Sequence, residues 1–412
     1  MMNKYVFPLA VIITGIVSGI GGMLLAMLLH TVQHWTFGYS LDAIISPESF
    51  LTGVTDASGL RRFVALVCGG LVAGIGWWLL GRYGKKRVSV DSAVKNPDKP
   101  MPAGTTFIHA LLQIVTVGMG SPLGREVAPR EVGALGATGL ASLFQVSNEQ
   151  RRVLIACGAG AGLAAVYNVP LAGAIFTLEV LLVSFQWSCI LPAILTSAIA
   201  AVIASLGLGS GSQYHFPSVH FSHSVFLWVV LTSPLFGVAA CYFRRFTNKA
   251  KQGVKQNWQM PVLCLMSFAL TGLLAVWFPQ LPGNGKGPTQ LALQGTLDGS
   301  LSLALLACKV VVILCVLRAG AEGGVLTPGL TVGALMANGL FSLFSPLLSV
   351  GDKPEIVLIG AAAFLGTSMR MPLTAIFLAL EFTRADSSLV VPLVIGVVIA
   401  YSTSLLLEKP KA

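Results

Sequence analysis

The sequence predicts an all-α polytopic membrane protein, an inverted-repeat bundle of many tilted, broken and re-entrant helices. Three observations carry that expectation. Composition comes first: 55% of the 412 residues are hydrophobic, 10% are charged, and the mean hydropathy is +0.80, values that no soluble fold of this length would have. Second, the charged hexapeptide Gly124-Arg125-Glu126-Val127-Ala128-Pro129 interrupts apolar stretches at 114–123 and 132–144. Each is shorter than the roughly 20 apolar residues a span requires, so they read as half-helices meeting at a break. Third, the pattern recurs. Gly323-Gly324-Val325-Leu326-Thr327-Pro328 opens a segment ending Gly339-Leu340-Phe341-Ser342-Leu343-Phe344, as the first copy ends Gly139-Leu140-Ala141-Ser142-Leu143-Phe144. Interrupted hydrophobic segments at matching positions of two halves point to a transporter's binding site near the midplane.

Taken in order, residues 5–30 form a first span long enough to tilt and too long for the apolar core of a signal peptide. Residues 31–60 carry Asp42, Glu48 and Asp56 without Lys or Arg, whereas the second span, 63–80, is followed by Arg82, Lys85, Lys86 and Arg87. Basic loops face the cytoplasm, so the first loop is expected outside and the second inside, with the run Arg244, Arg245, Lys249, Lys251 and Lys255 and both termini inside as well. A Pro/Lys-rich linker at 96–102 leads to the apolar run from Thr105 and on to the hexapeptide. Gly158-Ala159-Gly160-Ala161-Gly162 is a small-residue face suited to close helix contact.

Pro170-Leu171-Ala172 then opens a helix carrying Glu179, and Pro372-Leu373-Thr374 opens its counterpart carrying Glu381. The two blocks repeat in the same order at offsets of 199 (Pro129 to Pro328) and 202 (Pro170 to Pro372) residues. The chain therefore divides into a first membrane repeat, 1–212, and a second, inverted repeat, 213–412, with no separate soluble domain. Spans are expected at 188–207, 224–242, 259–278, 300–317, 330–349, 355–367, 372–383 and 388–407.

A net charge of +10 does not argue for nucleic acid, because the basic residues fall in short interhelical runs. The seven cysteines lie in apolar segments without a CxxC pair, and are expected as reduced, packed thiols. His30 and His34 have the spacing of a helical metal pair, but Thr31 stands where a zinc protease carries its glutamate. No metal or cofactor is expected, and no enzyme: there is no HExxH motif and no convincing nucleophile constellation.

The chemistry of the break follows from helix ends. A helix starting inside the membrane points unpaired N–H groups and a partial positive charge at the break, which makes an anion site. The segments at Val127-Ala128 and Val325-Leu326-Thr327 would converge on one point, the glycines allowing close approach and the prolines fitting the first turn. Glu126 is itself an anion beside those ends. Its protonation would couple proton and anion occupancy through one side chain. The bland alternative is a salt bridge with Arg125 or Arg130. Arg125, Arg130 and Glu131 read as structural partners, Glu179 and Glu381 as caps or interface residues, and Glu322 and Arg318 as a frame for the second motif, bonded to backbone or to each other.

At these residues the sequence resembles the CLC family of anion channels and anion/proton antiporters, along nearly its whole length. Gly124-Arg125-Glu126 looks like that family's Gly-Arg-Glu-Gly-Pro gating motif, with Val127-Ala128-Pro129 replacing Gly-Pro. Gly324-Val325-Leu326-Thr327-Pro328 looks like its Gly-x-Phe-x-Pro motif. The resemblance implies a homodimer in the inner (plasma) membrane, a separate anion pathway in each subunit, and a coupling glutamate at Glu126. Departures matter too. The Gly-Ser-Gly-x-Pro motif of chloride members is missing, with Val88 and Ser89 near its place, the late coordinating tyrosine is not found, and Val180 stands where chloride antiporters carry an inner proton glutamate. These features are similar to the bacterial fluoride-exporting branch and imply fluoride and protons as the transported species. Chloride or nitrate transport within the same family, and a sodium-coupled solute transporter from another class, are the alternatives.

Overall fold

Why a chain this apolar does not form a simple array of spans is visible in its glycines and prolines, which cut it into helices of very different length. The computed structural model describes residues 5–217, 223–345 and 353–408. Among them are seventeen α-helices and no named strand. The first half runs α1 (Val6–Phe37), α2 (Phe50–Asp56), α3 (Gly59–Tyr83), α4 (Val90–Lys95), α5 (Ala103–Gly118), α6 (Val127–Leu143), α7 (Asn148–Tyr167), α8 (Pro170–Phe176) and α9 (Trp187–Leu208). The second runs α10 (His223–Gln252), α11 (Gln259–Trp277), α12 (Lys286–Leu293), α13 (Gly299–Ala319), α14 (Leu326–Phe344), α15 (Lys353–Met369), α16 (Pro372–Thr383) and α17 (Val390–Leu407). Eight of these helices are long and apolar enough to cross a membrane.

Leaving α2 aside, long and short helices follow one another in the same order in both halves. The broken pairs α5/α6 and α13/α14 take corresponding places. Several spans extend past their expected limits: α1 reaches Phe37 and α10 reaches Gln252, because amphipathic residues such as Gln33, Arg244 and Lys249 continue a helix beyond its apolar window. The short helices α2, α4 and α12 were not anticipated. Each is only 6 to 8 residues long, below what periodicity resolves. The final part of the span expected at 330–349 and the termini expected inside lie outside the described residues.

Packing follows the small-residue pattern. The buried α7 presents Gly158 to Gly133 of α6 and Gly162 to Pro129, so closely that a Cβ at Gly158 would lie 2.4 Å from the Gly133 carbonyl oxygen and one at Gly162 2.1 Å from that of Pro129. Backbones in contact bring dispersion and weak polar contacts where no hydrophobic drive exists between helices in lipid.

Glu179 and Glu381 join the halves. Glu381 accepts from Leu171 N (3.0 Å) and Ala172 N (2.7 Å) at the start of α8. Glu179 accepts from Leu373 N (2.9 Å) and Thr374 N (2.7 Å) at the start of α16. Glu381 of α16, and Glu179 in the wider helical turn Thr177–Leu182 that follows α8 rather than in α8 itself, thus cap the first turn of each other's helix, satisfying orphan donors with a charge of the right sign for the helix dipole. All seven cysteines are free, as expected, but Cys68 is exposed rather than packed.

Candidate anion site and its flanking cavities

The site begins with two glycines. Gly124 and Gly324, two hundred positions apart, exchange backbone hydrogen bonds: Gly124 N donates to Gly324 O (2.7 Å) and Gly324 N to Gly124 O (2.9 Å). This isolated bridge locks the two helix breaks edge to edge. Both positions must lack a side chain, since a Cβ on Gly324 would lie 1.8 Å from Glu126 Oε1 and one on Gly124 2.0 Å from Oε2.

Into the notch points the Glu126 carboxylate, from the N-terminal boundary of α6 to the N-terminus of α14. Leu326 N donates to Oε1 at 2.7 Å, the length of a charge-assisted bond. Thr327 Oγ1 (3.3 Å) and Tyr167 Oη (3.4 Å) donate to Oε2, and Tyr167 Oη and Thr327 Oγ1 are 3.3 Å apart. Glu126 is 1% exposed and makes no ion pair among the described residues, so the salt-bridge alternative with Arg125 or Arg130 is not what the chain adopts. Arg125 instead lies over the Tyr167 ring (5.1 Å to the centroid) and reaches Val166 O at 3.5 Å. Arg130 stacks on Phe176 at 4.4 Å.

Of the anticipated residues, Val127 and Ala128 open α6, and Val325, Leu326 and Thr327 open α14. Val88 and Ser89 are not brought to the carboxylate. Val88 is buried in the core, and Ser89 is exposed and spends its hydroxyl on α4, accepting from Ser92 N at 3.2 Å. Glu131 and Glu322 meet one another's partners: Arg87 bridges them at 2.9 and 2.7 Å, and His109 lies between them at 2.7 and 2.9 Å. The frame expected from Glu322 and Arg318 is therefore corrected. Arg318, in the last turn of α13, lies against Gly253 instead. Sequence reasoning missed Tyr167, His109 and Gln113; the signal for Tyr167 was a single hydroxyl at the end of an otherwise apolar, small-residue helix.

Two cavities approach the carboxylate from opposite ends. One of about 810 Å³ is lined by Trp77 and Leu80 near the end of α3, by Lys85, Lys86, Arg87, His109 and Lys251, and closes on Glu322 and Gly323. The other, about 250 Å³, is lined by His30, Gln33, Glu48, Arg125, Tyr167, Asn284, Lys286 and Thr327. The first lies at the C-terminal end of α3. The second lies toward the end that starts beside Trp35 and Thr36, whose carbonyls accept from Arg61. Twenty-five helical residues, about 37 Å at 1.5 Å each, separate those ends. Thr327 and Tyr167 face the smaller cavity, Gly323 the larger, and Glu126 stands between.

The model of the voltage-gated chloride channel family matches residues 68–405. The chain belongs to the CLC family. Its similarity to the voltage-gated ClC-type chloride channel ClcB of Escherichia coli O81 (strain ED1a) is 28% identity over 364 residues, 85% of this chain and 86% of that protein. Among solved structures it resembles a slow cyanobacterial Cl⁻/H⁺ antiporter (TM-score 0.83, 20% identity, 100% of this chain and 96% of the other). It also resembles a CLC-type fluoride/proton antiporter (TM-score 0.70, 20% identity, 97% and 95%). At these identities the structural likeness carries the fold. This CLC chain is a multi-pass membrane protein of an anion channel and anion/proton antiporter family.

Proposed function

We propose that this CLC protein is a secondary active antiporter in which an anion and a proton compete through Glu126. The observation that carries the reading is the Leu326 N to Glu126 Oε1 bond of 2.7 Å, which places a carboxylate where a helix N-terminus would otherwise hold a transported anion. Ionised, Glu126 occupies the anion's place and separates the cavities. Protonated, it loses the charge that the α14 terminus favours, moves toward the smaller cavity beside Tyr167 and Thr327, and admits the anion. The basic cavity faces the cytoplasm in this reading, in line with the positive loops, and each protomer of a homodimer in the inner membrane carries its own pathway. The chemistry is transport rather than catalysis.

The anion we assign first is fluoride. A small, strongly hydrated anion needs strong donors, and the site offers the Leu326 N–H and the Thr327 hydroxyl, with no serine at Ser89 reaching it. Chloride is the second reading, favoured by Tyr167, whose hydroxyl brings a phenol to this site from the end of α7, and by the similarity to proteins named as chloride channels and chloride antiporters. Reconstituted vesicles loaded with potassium fluoride or potassium chloride separate them. Faster fluoride than chloride efflux, with uphill proton uptake, is expected; equal or faster chloride flux overturns the fluoride assignment, and absence of proton movement with either anion overturns antiport.

A further inference from the structure

Below the anion site lies a polar cluster that the exchange mechanism has not used. His109, on α5, is 1% exposed in a membrane bundle where an isolated ionisable group is costly. Both of its ring nitrogens are engaged: Nδ1 stands 2.7 Å from Glu131 Oε2 of α6, and Nε2 stands 2.9 Å from Glu322 Oε2 of the loop before α14. Two carboxylates facing two ring nitrogens are satisfied when both nitrogens carry a proton. With Arg87 bonded to both carboxylates, the protonated cluster is then formally neutral, two cations against two anions.

The deciding detail is a second partner for Nδ1. Gln113 Nε2, one turn along α5, lies 2.8 Å from Nδ1 and 3.2 Å from Glu131 Oε2. A nitrogen that always carried its proton would need only the acceptor. Nδ1 has an acceptor for its protonated form and a donor for its deprotonated form, so the ring can release a proton without leaving the nitrogen unpaired. Unsatisfied buried polar atoms are what normally forbid such a change, and here the change is provided for.

The cluster also connects the right places. His109 and Glu322 line the 810 Å³ cavity with Lys85 and Lys251, and the Glu322 side chain is 40% exposed there. Glu131, only 3% exposed, sits five residues beyond Glu126 on α6, about 7.5 Å of axial rise. Gly323 lines the cavity and Gly324 touches the Glu126 carboxylate.

We propose that His109, clamped between Glu131 and Glu322, is the inner proton-exchanging residue of this transporter, carrying protons between the basic cavity and Glu126; this rests on the antiport reading above. A proton arriving from the cavity by way of Glu322 bonds to Nε2 as the Nδ1–H bond breaks and its proton passes to Glu131 or to water leading toward Glu126, whereupon Gln113 donates to the bare Nδ1; the opposite transfer, from Glu131 to Nδ1 and from Nε2 to Glu322, carries a proton the other way. The groups facing His109 are Glu131 from α6, Glu322 from the loop before α14, Arg87 from the stretch before α4, Gln113 on its own helix, and the Trp77 ring of α3, 6.3 Å away; Lys251 of α10 faces Glu322 from across the cavity.

The test uses the full-length protein in vesicles under a fluoride or chloride gradient, reading anion efflux and proton uptake in the same sample. His109→Gln keeps hydrogen bonding but cannot exchange a proton. It is expected to cut proton uptake at least tenfold while anion efflux stays within about threefold. Because His109→Gln leaves Glu131 buried with a weaker partner and risks poor folding, Glu322→Gln, at the exposed end of the cluster, serves as the second variant. It is expected to lower the proton-to-anion ratio at least threefold. If the wild type is coupled and a well-folded form of either variant retains the wild-type ratio, the inference fails and antiport stands. If the wild type itself moves no protons with either anion, antiport fails and takes this inference with it.

Discussion

Glu126→Gln removes the charge and the exchangeable proton while conserving shape, and the site allows its effect to be estimated. The Leu326 N–H to carboxylate bond is a hydrogen bond to a charged group, about 1.5 to 3 kcal/mol, whereas the same bond to a neutral amide is about 0.5 to 1.5 kcal/mol. The longer contacts from Thr327 and Tyr167, 3.3 and 3.4 Å, are weak in either form. Neutralisation therefore loosens the plug by about 1 to 1.5 kcal/mol, and a helix N-terminus that favours anions contributes in the same direction. At about 1.4 kcal/mol per tenfold, the fraction of time that the side chain is out of the site rises roughly five- to twelvefold. The expected phenotype is passive anion efflux raised by that factor, with uphill proton uptake driven by an anion gradient reduced to background. Vesicles with an internal pH dye and an anion electrode measure both. A folded Gln variant that still accumulates protons against their gradient refutes the mechanism.

Three further outcomes follow from the same geometry. Gly324→Ala places a Cβ 1.8 Å from the seat of Glu126 Oε1, so the carboxylate is expelled; proton-coupled exchange should collapse, and a variant with wild-type coupling would mean that the carboxylate does not work from this seat. Lys286, outside the spans, is exposed to the smaller cavity, where the protein walls around it and the nearby Arg125 charge push its pKa down from the usual lysine value to about 8. It is cationic below that pH and neutral above it, so anion entry from this side should fall as pH on that side rises from 7 to 9, and Lys286→Met should flatten the profile; an unchanged profile in the variant removes Lys286 from the cause. Glu179→Gln and Glu381→Gln each weaken the cap of the other half's helix by about 0.5 to 2 kcal/mol and should lower thermal stability in detergent by similar amounts, with markedly unequal losses arguing against equivalent roles.

Much of this was present in the residues themselves. Composition dictated a membrane bundle, since no soluble packing has use for so little charge, and the glycine- and proline-bounded hexapeptide with its second copy marked the breaks that became α5/α6 and α13/α14. Glu126 stood out because a carboxylate between apolar half-helices needs a partner. What chain order could not supply was the partner. Glu126 is bonded to Leu326 and Thr327 from the other half and to Tyr167 at the end of α7, contacts that exist only once two glycines two hundred positions apart exchange hydrogen bonds. Likewise His109 reads in isolation as one polar residue on an apolar helix, and Arg318 as the natural neighbour of Glu322. Three-dimensional packing brought Arg87 and His109 to Glu131 and Glu322 instead, and left Ser89 capping a short helix. Local preference and hydrophobic period act over a few residues, and so legibly place helices and breaks; which buried charges meet is decided by long-range closure, where each ionisable group must find a partner from whichever element the fold sets beside it.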